Sequence, residues 1–236
     1  MLGREAGRMV LPSPCVVCGE ELPWISRRGS CCARCWDQLP RIVEPKCRLC
    51  AAVWVTTERG ESFVCGRCIE SPLKLDWLDA WGHYSAGLER ALGAFKFRRH
   101  QFLAEALASL LSETLAARGD DDFDCVVAVP MHPRRERERG FNQAELLASE
   151  LARRTQFPLR RDLLRKTEPR RPQSSLARAE RAANVRGAFA AGDGARGRSV
   201  LLIDDICTTG HTLDACGAAL LRKGARRVCA LVVARA

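Results

Sequence analysis

Along the chain the rhythm of apolar and polar positions changes near Pro72: before it cysteines punctuate the sequence, and after it periodic segments follow one another. Asp79 to Tyr84 reads as a short strand. Leu88 to Phe97 and Phe102 to Leu115 read as helices, the second with Phe102, Leu103, Ala106, Leu107, Leu110 and Leu111 on one face. Cys125 to Val129 is a continuous apolar run halted by Pro130, the pattern of a strand buried on both sides. Asn142 to Arg154 is amphipathic through Leu146, Leu147 and Leu151. Val200 to Ile203 reads as another buried strand, Thr212 to Arg222 as a helix, and Val228 to Val233 as a closing strand. This alternation predicts an α/β domain with a parallel sheet and helices on both faces.

A chain of 236 residues has room for that domain and one small module, which divides it into residues 1–72 and 73–236. With 47% apolar and 28% charged residues the composition is globular, which excludes wholesale disorder. No apolar run approaches the ~18 residues needed to span a bilayer, so no membrane insertion is expected. The opening stretch lacks the apolar core of a secretory signal, so a cytoplasmic location is expected.

Nine of the 13 cysteines lie between Cys15 and Cys68. Four C-x-x-C pairs stand out: Cys15/Cys18, Cys32/Cys35, Cys47/Cys50 and Cys65/Cys68. Spacers of 13 and 14 residues within successive couples mark an internal repeat. Each C-x-x-C turn points two thiolates at one metal, and two turns complete a tetrahedron of sulfurs suited to Zn2+, with no position open for water. Two structural zinc sites are expected, with neighbouring pairs joined; a disulfide scaffold would need an oxidising compartment. Cys31 adjoins Cys32, but only Cys32 keeps the two-residue spacing to Cys35.

The sharpest chemical signal is Val200-Leu-Leu-Ile-Asp-Asp-Ile-Cys-Thr-Thr-Gly-His-Thr212. Backbone amides at a helix start, with the hydroxyls of Thr208, Thr209 and Thr212, make a concave anion site, and Gly210 lets the backbone approach a phosphate. Asp204 and Asp205 repel phosphate but accept hydrogen bonds from sugar hydroxyls. Phosphate beside a diol describes a ribose 5-phosphate. The segment, with His211 at a variable position, resembles the phosphoribosyl pyrophosphate signature of phosphoribosyltransferases. It lacks the G-K-[ST] ending of a Walker loop.

The order of further motifs extends the likeness. Val129-Pro-Met-His132, Arg139-Gly-Phe-Asn-Gln143, Gln173-x-x-Leu176 and Arg181-x-x-Asn184-Val-Arg-Gly-Ala-Phe189 lie between the paired ribbons and the acidic strand. In this order they resemble the ComF family across nearly the whole chain. The resemblance implies a type I phosphoribosyltransferase-like sheet preceded by a double zinc ribbon. It places Pro130, Met131, His132, Arg134 and Arg135 in a pyrophosphate loop. The polar, proline-interrupted stretch with Arg170, Arg171, Arg178 and Arg181 falls where that superfamily carries a mobile loop. It further implies Mg2+ with phosphoribosyl pyrophosphate, and a role in competence and DNA uptake with single-stranded DNA and a helicase as partners.

Charge is compatible with that role without establishing it. Residues 134–186 hold 15 basic and 7 acidic side chains, +8 of the chain's +10, which suits phosphate-rich partners or a plain solvated exterior. Within that stretch and its end, only Phe141, Phe157 and Phe189 are placed to stack bases. Three readings remain: a nucleic-acid-linked, phosphoribosyl pyrophosphate-binding protein, a catalytically active phosphoribosyltransferase, and a ribbon-mediated scaffold. For the enzyme no general base is evident, and a nucleobase hood is expected from residues 77–115 or the ribbons rather than after the last strand.

Overall fold

The computed structural model describes residues 14–22, 31–53, 63–97, 100–120, 122–167 and 187–236. Its centre is a four-stranded parallel sheet of β1 (Trp77–His83), β2 (Cys125–Ala128), β5 (Ser199–Cys207) and β6 (Arg227–Arg235), in the order β1-β6-β5-β2. A separate antiparallel pair, β3 (Leu164–Lys166) and β4 (Phe189–Ala191), lies beside it.

Side-chain alternation along the central strands sorts the core into two layers. Leu201, Ile203, Cys229, Leu231 and Val233 pack under α3 (Ala86–Phe95), α4 (Leu103–Arg118) and α6 (Gln143–Thr155). Val200, Leu202, Val228, Ala230 and Val232 face α7 (His211–Arg222), the β3–β4 pair, and Cys47, Cys50 and Cys68. The second cysteine repeat therefore belongs to the main core. The first keeps a small core of its own around Cys15, Leu22, Cys31 and Cys35.

The expected strands and helices are present, with shifted ends. β1 starts at Trp77, whose ring meets Phe123 edge-on at 6.1 Å, and Leu78 N donates to Leu49 O at 3.0 Å. β5 does not end at Ile203 but continues through both aspartates to Cys207. Phe102, expected on the buried face of its helix, precedes it and is 50% exposed.

Two pieces carry no apolar period and were not expected. α5 (Pro133–Arg139) buries nothing; capping makes it a helix, with Pro133 in its first turn, His132 Nδ1 accepting from Arg134 N at 3.1 Å, and Gly140 at φ 86° closing it. The β3–β4 pair has only three residues per strand. No helix among the described residues is long and apolar enough to cross a membrane.

Candidate functional site

The two cysteine tetrads come first in the chain. Sγ atoms of Cys15, Cys18, Cys32 and Cys35 lie within 4.8 Å of one another, as do those of Cys47, Cys50, Cys65 and Cys68. Neighbouring pairs thus join, an arrangement the spacing alone left open. Cys18 and Cys32 Sγ are 3.9 Å apart, and Cys50 and Cys65 Sγ 3.7 Å. Four sulfurs at ~2.3 Å from one ion form a tetrahedron with edges of ~3.8 Å, whereas a disulfide requires ~2.05 Å. The donor set therefore fits Zn2+.

Short helices α1 (Ala33–Asp37) and α2 (Gly66–Glu70) follow Cys32 and Cys65. Backbone amides support the sulfurs: Cys32 N donates to Cys15 Sγ at 3.3 Å and Cys65 N to Cys47 Sγ at 3.4 Å. Burial pushes the Cys15 and Cys47 thiols up, but the amides around each outweigh it and bring them down to about 6 and about 7. Those two are thereby prepared as thiolate ligands. Cys31 is fully buried beside its tetrad, and burial raises its thiol to about 12.

The second site forms where β5 outruns its neighbour. The last β2–β5 pair is Ala128 with Ile203, so four residues of β5, Asp204–Cys207, project beyond β2. A crevice at the carboxyl ends of parallel strands results, the position at which open α/β sheets receive ligands. Asp204 Oδ1 accepts from Asp205 N at 2.9 Å and Asp205 Oδ1 from Ile206 N at 2.8 Å. Burial, with the Asp205 charge second, holds the Asp204 carboxyl well above the usual carboxylate range.

From Cys207 the chain turns through exposed Thr208 and Thr209 into α7. Gly210 makes the turn at φ 79°, the left-handed region that favours glycine. No side chain caps α7 at Gly210, and His211 and Thr212 are exposed in its first turn. The acids, the threonines and the start of an α-helix therefore share one end of β5.

The loop after β2 forms the adjoining wall. Val129 N donates to Ile203 O at 2.9 Å, and Pro130, Met131 and His132 follow, each half-buried. Asn142 explains part of the R-G-F-N-Q motif: its Nδ2 donates to Val129 O at 3.0 Å while its Oδ1 caps α6 through Ala144 N at 3.1 Å. The next residue, Gln143, is 2% exposed, and neither polar atom of its side chain finds a hydrogen-bond partner among the described residues.

Arg134 and Arg135 lie on α5 rather than in a loop. Arg134 is occupied by Glu138 at 2.9 Å. Lys166, a residue the sequence reading passed over, lies on β3 with its ammonium 5.2 Å from the Phe189 ring centroid. Burial, then the Arg135 charge, lowers the Lys166 ammonium, and Asp204 partly restores it. Lys166 thus feels charge from both the acidic strand and the basic helix α5. Only the β3–β4 register reveals it, since one lysine in a polar stretch carries no pattern. Thr167 N donates to Ala188 O at 2.8 Å, one step beyond the β3–β4 register. Arg170, Arg171, Arg178 and Arg181 lie outside the described residues.

A cavity of about 710 Å³ by β1 shares no lining residue with this crevice. Three of its four lining cations serve carboxylates already: Asp79, 2% exposed, holds Lys46 at 2.7 Å and Arg118 at 3.1 Å, and Glu113 holds Arg41 at 2.6 Å.

This sheet, with its flanking helices and two cysteine tetrads, defines a double zinc ribbon joined to a phosphoribosyltransferase-type domain. Sequence comparison agrees: residues 6–69 match the double zinc ribbon domain and residues 100–236 the phosphoribosyl transferase domain. The chain is 32% identical over 226 residues to DNA utilization protein YhgH of Salmonella typhimurium, covering 93% of this chain and 96% of that one. It is 29% identical over 238 residues to Competence protein ComFC of Bacillus subtilis, covering 94% and 95%. Competence protein F of Haemophilus influenzae is 29% identical over 181 residues, covering 73% and 78%. The chain belongs to the ComF family of phosphoribosyl transferase domain proteins.

Proposed function

We propose that this protein binds phosphoribosyl pyrophosphate with Mg2+ in the β5 crevice and serves DNA uptake or utilisation in the cytoplasm, contacting single-stranded DNA. The observation that carries the reading is the overhang of β5, which presents Asp204 and Asp205 beside the Thr208–Thr212 loop at the start of α7. In this reading the loop amides and hydroxyls hold the 5-phosphate, and the two carboxylates accept from the ribose hydroxyls. Pro130, Met131, His132 and Arg135 line the diphosphate side, with Lys166 as a further cation. Mg2+ supplies added charge neutralisation on the diphosphate. The division at residues 72/73 belongs to the same reading, with the ribbons as the protein-docking or DNA-docking module, including toward a helicase. The relatives' names, which concern competence and DNA utilization, support the cellular context.

Catalytic transfer is the second reading, favoured by the cations gathered around the crevice. There, diphosphate departs from the anomeric carbon and an acceptor attacks from the opposite face. One experiment separates the two: incubation with Mg2+, phosphoribosyl pyrophosphate, single-stranded DNA and a panel of bases and amines. Diphosphate release that depends on an acceptor establishes turnover. Calorimetric binding without release supports the binding protein, and absence of binding removes both.

A further inference from the structure

We propose that Arg235 couples the second cysteine tetrad to the β5 crevice, so that metal in the tetrad favours ligand in the crevice and ligand in the crevice retards metal loss from that tetrad; this rests on the ligand reading above. Arg235 is half-buried at the end of β6. Its guanidinium donates through Nη1 to Cys207 Sγ at 3.2 Å and through Nη2 to Cys50 Sγ at 3.9 Å. Cys50 belongs to the second tetrad, and Cys207 ends β5 directly before the Thr208–Thr212 loop. One planar, forked group therefore touches both sites.

The sheet fixes one end of this link. Arg235 lies opposite Cys207 in the β5–β6 register, Tyr84 N donates to Arg235 O at 2.7 Å, and Ala236 N donates to Cys207 O at 2.9 Å. Cys50 is the end that changes with the metal. Four thiolates around one Zn2+ carry a net charge of about −2, so a loaded tetrad holds the guanidinium by a charge-assisted hydrogen bond. Once the metal leaves, nothing keeps the four sulfurs together, and the group that braces Cys207 loses one of its two anchors.

The chain leaving the tetrad adds to the link. Both Leu73 methyl groups lie 3.5 Å from where a Cβ on Gly210 would sit, and Lys74 O fills the space a side chain at Gly217 of α7 would need. Arg67, between Cys65 and Cys68, reaches the loop as well. The first tetrad is placed differently: its ribbon meets α3, where Arg90 Nη1 donates to Val17 O at 2.8 Å, and α3 packs on the opposite layer of the sheet. Coupling is therefore expected from one tetrad and not the other.

Coupling between two sites acts equally in both directions, which allows a test on the metal-loaded chain. Zinc-loaded full chain is mixed with the chromogenic chelator pyridylazoresorcinol, and metal release is followed with Mg2+ alone and with Mg2+ plus saturating phosphoribosyl pyrophosphate. The ligand should slow one of the two release phases by about fivefold or more and leave the other within about twofold. Cys18→Ser, which keeps the second tetrad intact, should retain the slowed phase. Arg235→Met keeps the apolar stem and Arg235→Lys keeps the charge without the fork; each should bring the slowing below about twofold while calorimetry still detects the ligand. Equal slowing of both phases signals general stabilisation and overturns the coupling. Unchanged release from a wild type that binds the ligand by calorimetry does the same. Slowing that persists in both Arg235 variants, or loss of ligand binding by folded Arg235 variants, overturns Arg235 as the link. Absence of calorimetric binding to wild type overturns the ligand reading itself.

Discussion

The Arg67 guanidinium donates through Nη2 to the main-chain carbonyl oxygen of Thr209. Arg67 lies between Cys65 and Cys68 of the second tetrad, and Thr209 lies on the loop after β5. Arg235 makes a second connection, donating through Nη1 to Cys207 Sγ at 3.2 Å and through Nη2 to Cys50 Sγ at 3.9 Å. Lys74 N donates to Asp214 Oδ1 of α7 at 2.5 Å, which continues the contact along that helix. Arg67 therefore joins the second ribbon directly to the candidate phosphate loop, and Arg235 of β6 bridges Cys50 to the residue that precedes that loop.

Arg67→Ala should release the Thr209 carbonyl and weaken phosphoribosyl pyrophosphate binding about three- to tenfold, the effect of removing one charge-assisted hydrogen bond near the surface. Because Arg67 is exposed, the melting temperature should barely move. Arg67→Lys should recover part of the affinity. Calorimetry decides the case, and equal affinity for wild type and Arg67→Ala would show that the contact does not set the loop.

The tetrads should hold about two zinc ions per chain by elemental analysis. Cys18→Ser and Cys65→Ser should each lose about one. Their stability costs should differ. Cys68 and its neighbours share the core of the main sheet, whereas the first tetrad has a small core of its own. Cys65→Ser should therefore lower the melting temperature of the main transition by on the order of 10 °C, and Cys18→Ser much less. A larger drop for Cys18→Ser would reverse this ranking of the two modules.

What the sequence made legible was local in origin. The C-x-x-C knuckles and the D-D-x-x-T-T-G turn carry their geometry in adjacent residues, and buried parallel strands such as β5 announce themselves as apolar runs. Helix α5 was hidden because it is polar on all sides and depends on caps at His132 and Gly140. Lys166 was hidden because its meaning comes from pairing across a long segment, Lys166 with Phe189. Phe102 misled because its spacing suits the buried face of α4, yet it precedes the helix and its ring is left at the surface.

Gln143 provides a test of whether a buried polar group is structural or awaits a ligand. Its amide, unpartnered among the described residues, should cost roughly 1–3 kcal/mol in desolvation. Gln143→Met, of similar volume, should then match or exceed wild-type stability in chemical denaturation. If the amide instead holds a bridging water on which the fold depends, the Met variant will be less stable by a similar amount. A retained fold with weakened phosphoribosyl pyrophosphate binding would assign Gln143 to the ligand.

Asp204 should oppose stability while serving binding. Burial and the Asp205 charge raise its carboxyl well above the ordinary 3.8, so the folded chain holds that proton more tightly than the unfolded chain. The stability contributed by the bound proton is complete below 3.8 and is lost as pH rises through the raised folded value. Asp204→Asn has no proton to lose there. Its melting temperature, measured without ligand, should therefore pull ahead of wild type progressively as pH rises above about 4. With Mg2+ and phosphoribosyl pyrophosphate present the order should reverse, because ligand binding stabilises only the form that binds it. Asp205→Asn should likewise weaken binding, which tests the second carboxylate separately. An Asp204→Asn protein that is less stable than wild type at every pH, yet binds the ligand equally well, would show that this carboxylate supports the strand and takes no part in holding a sugar.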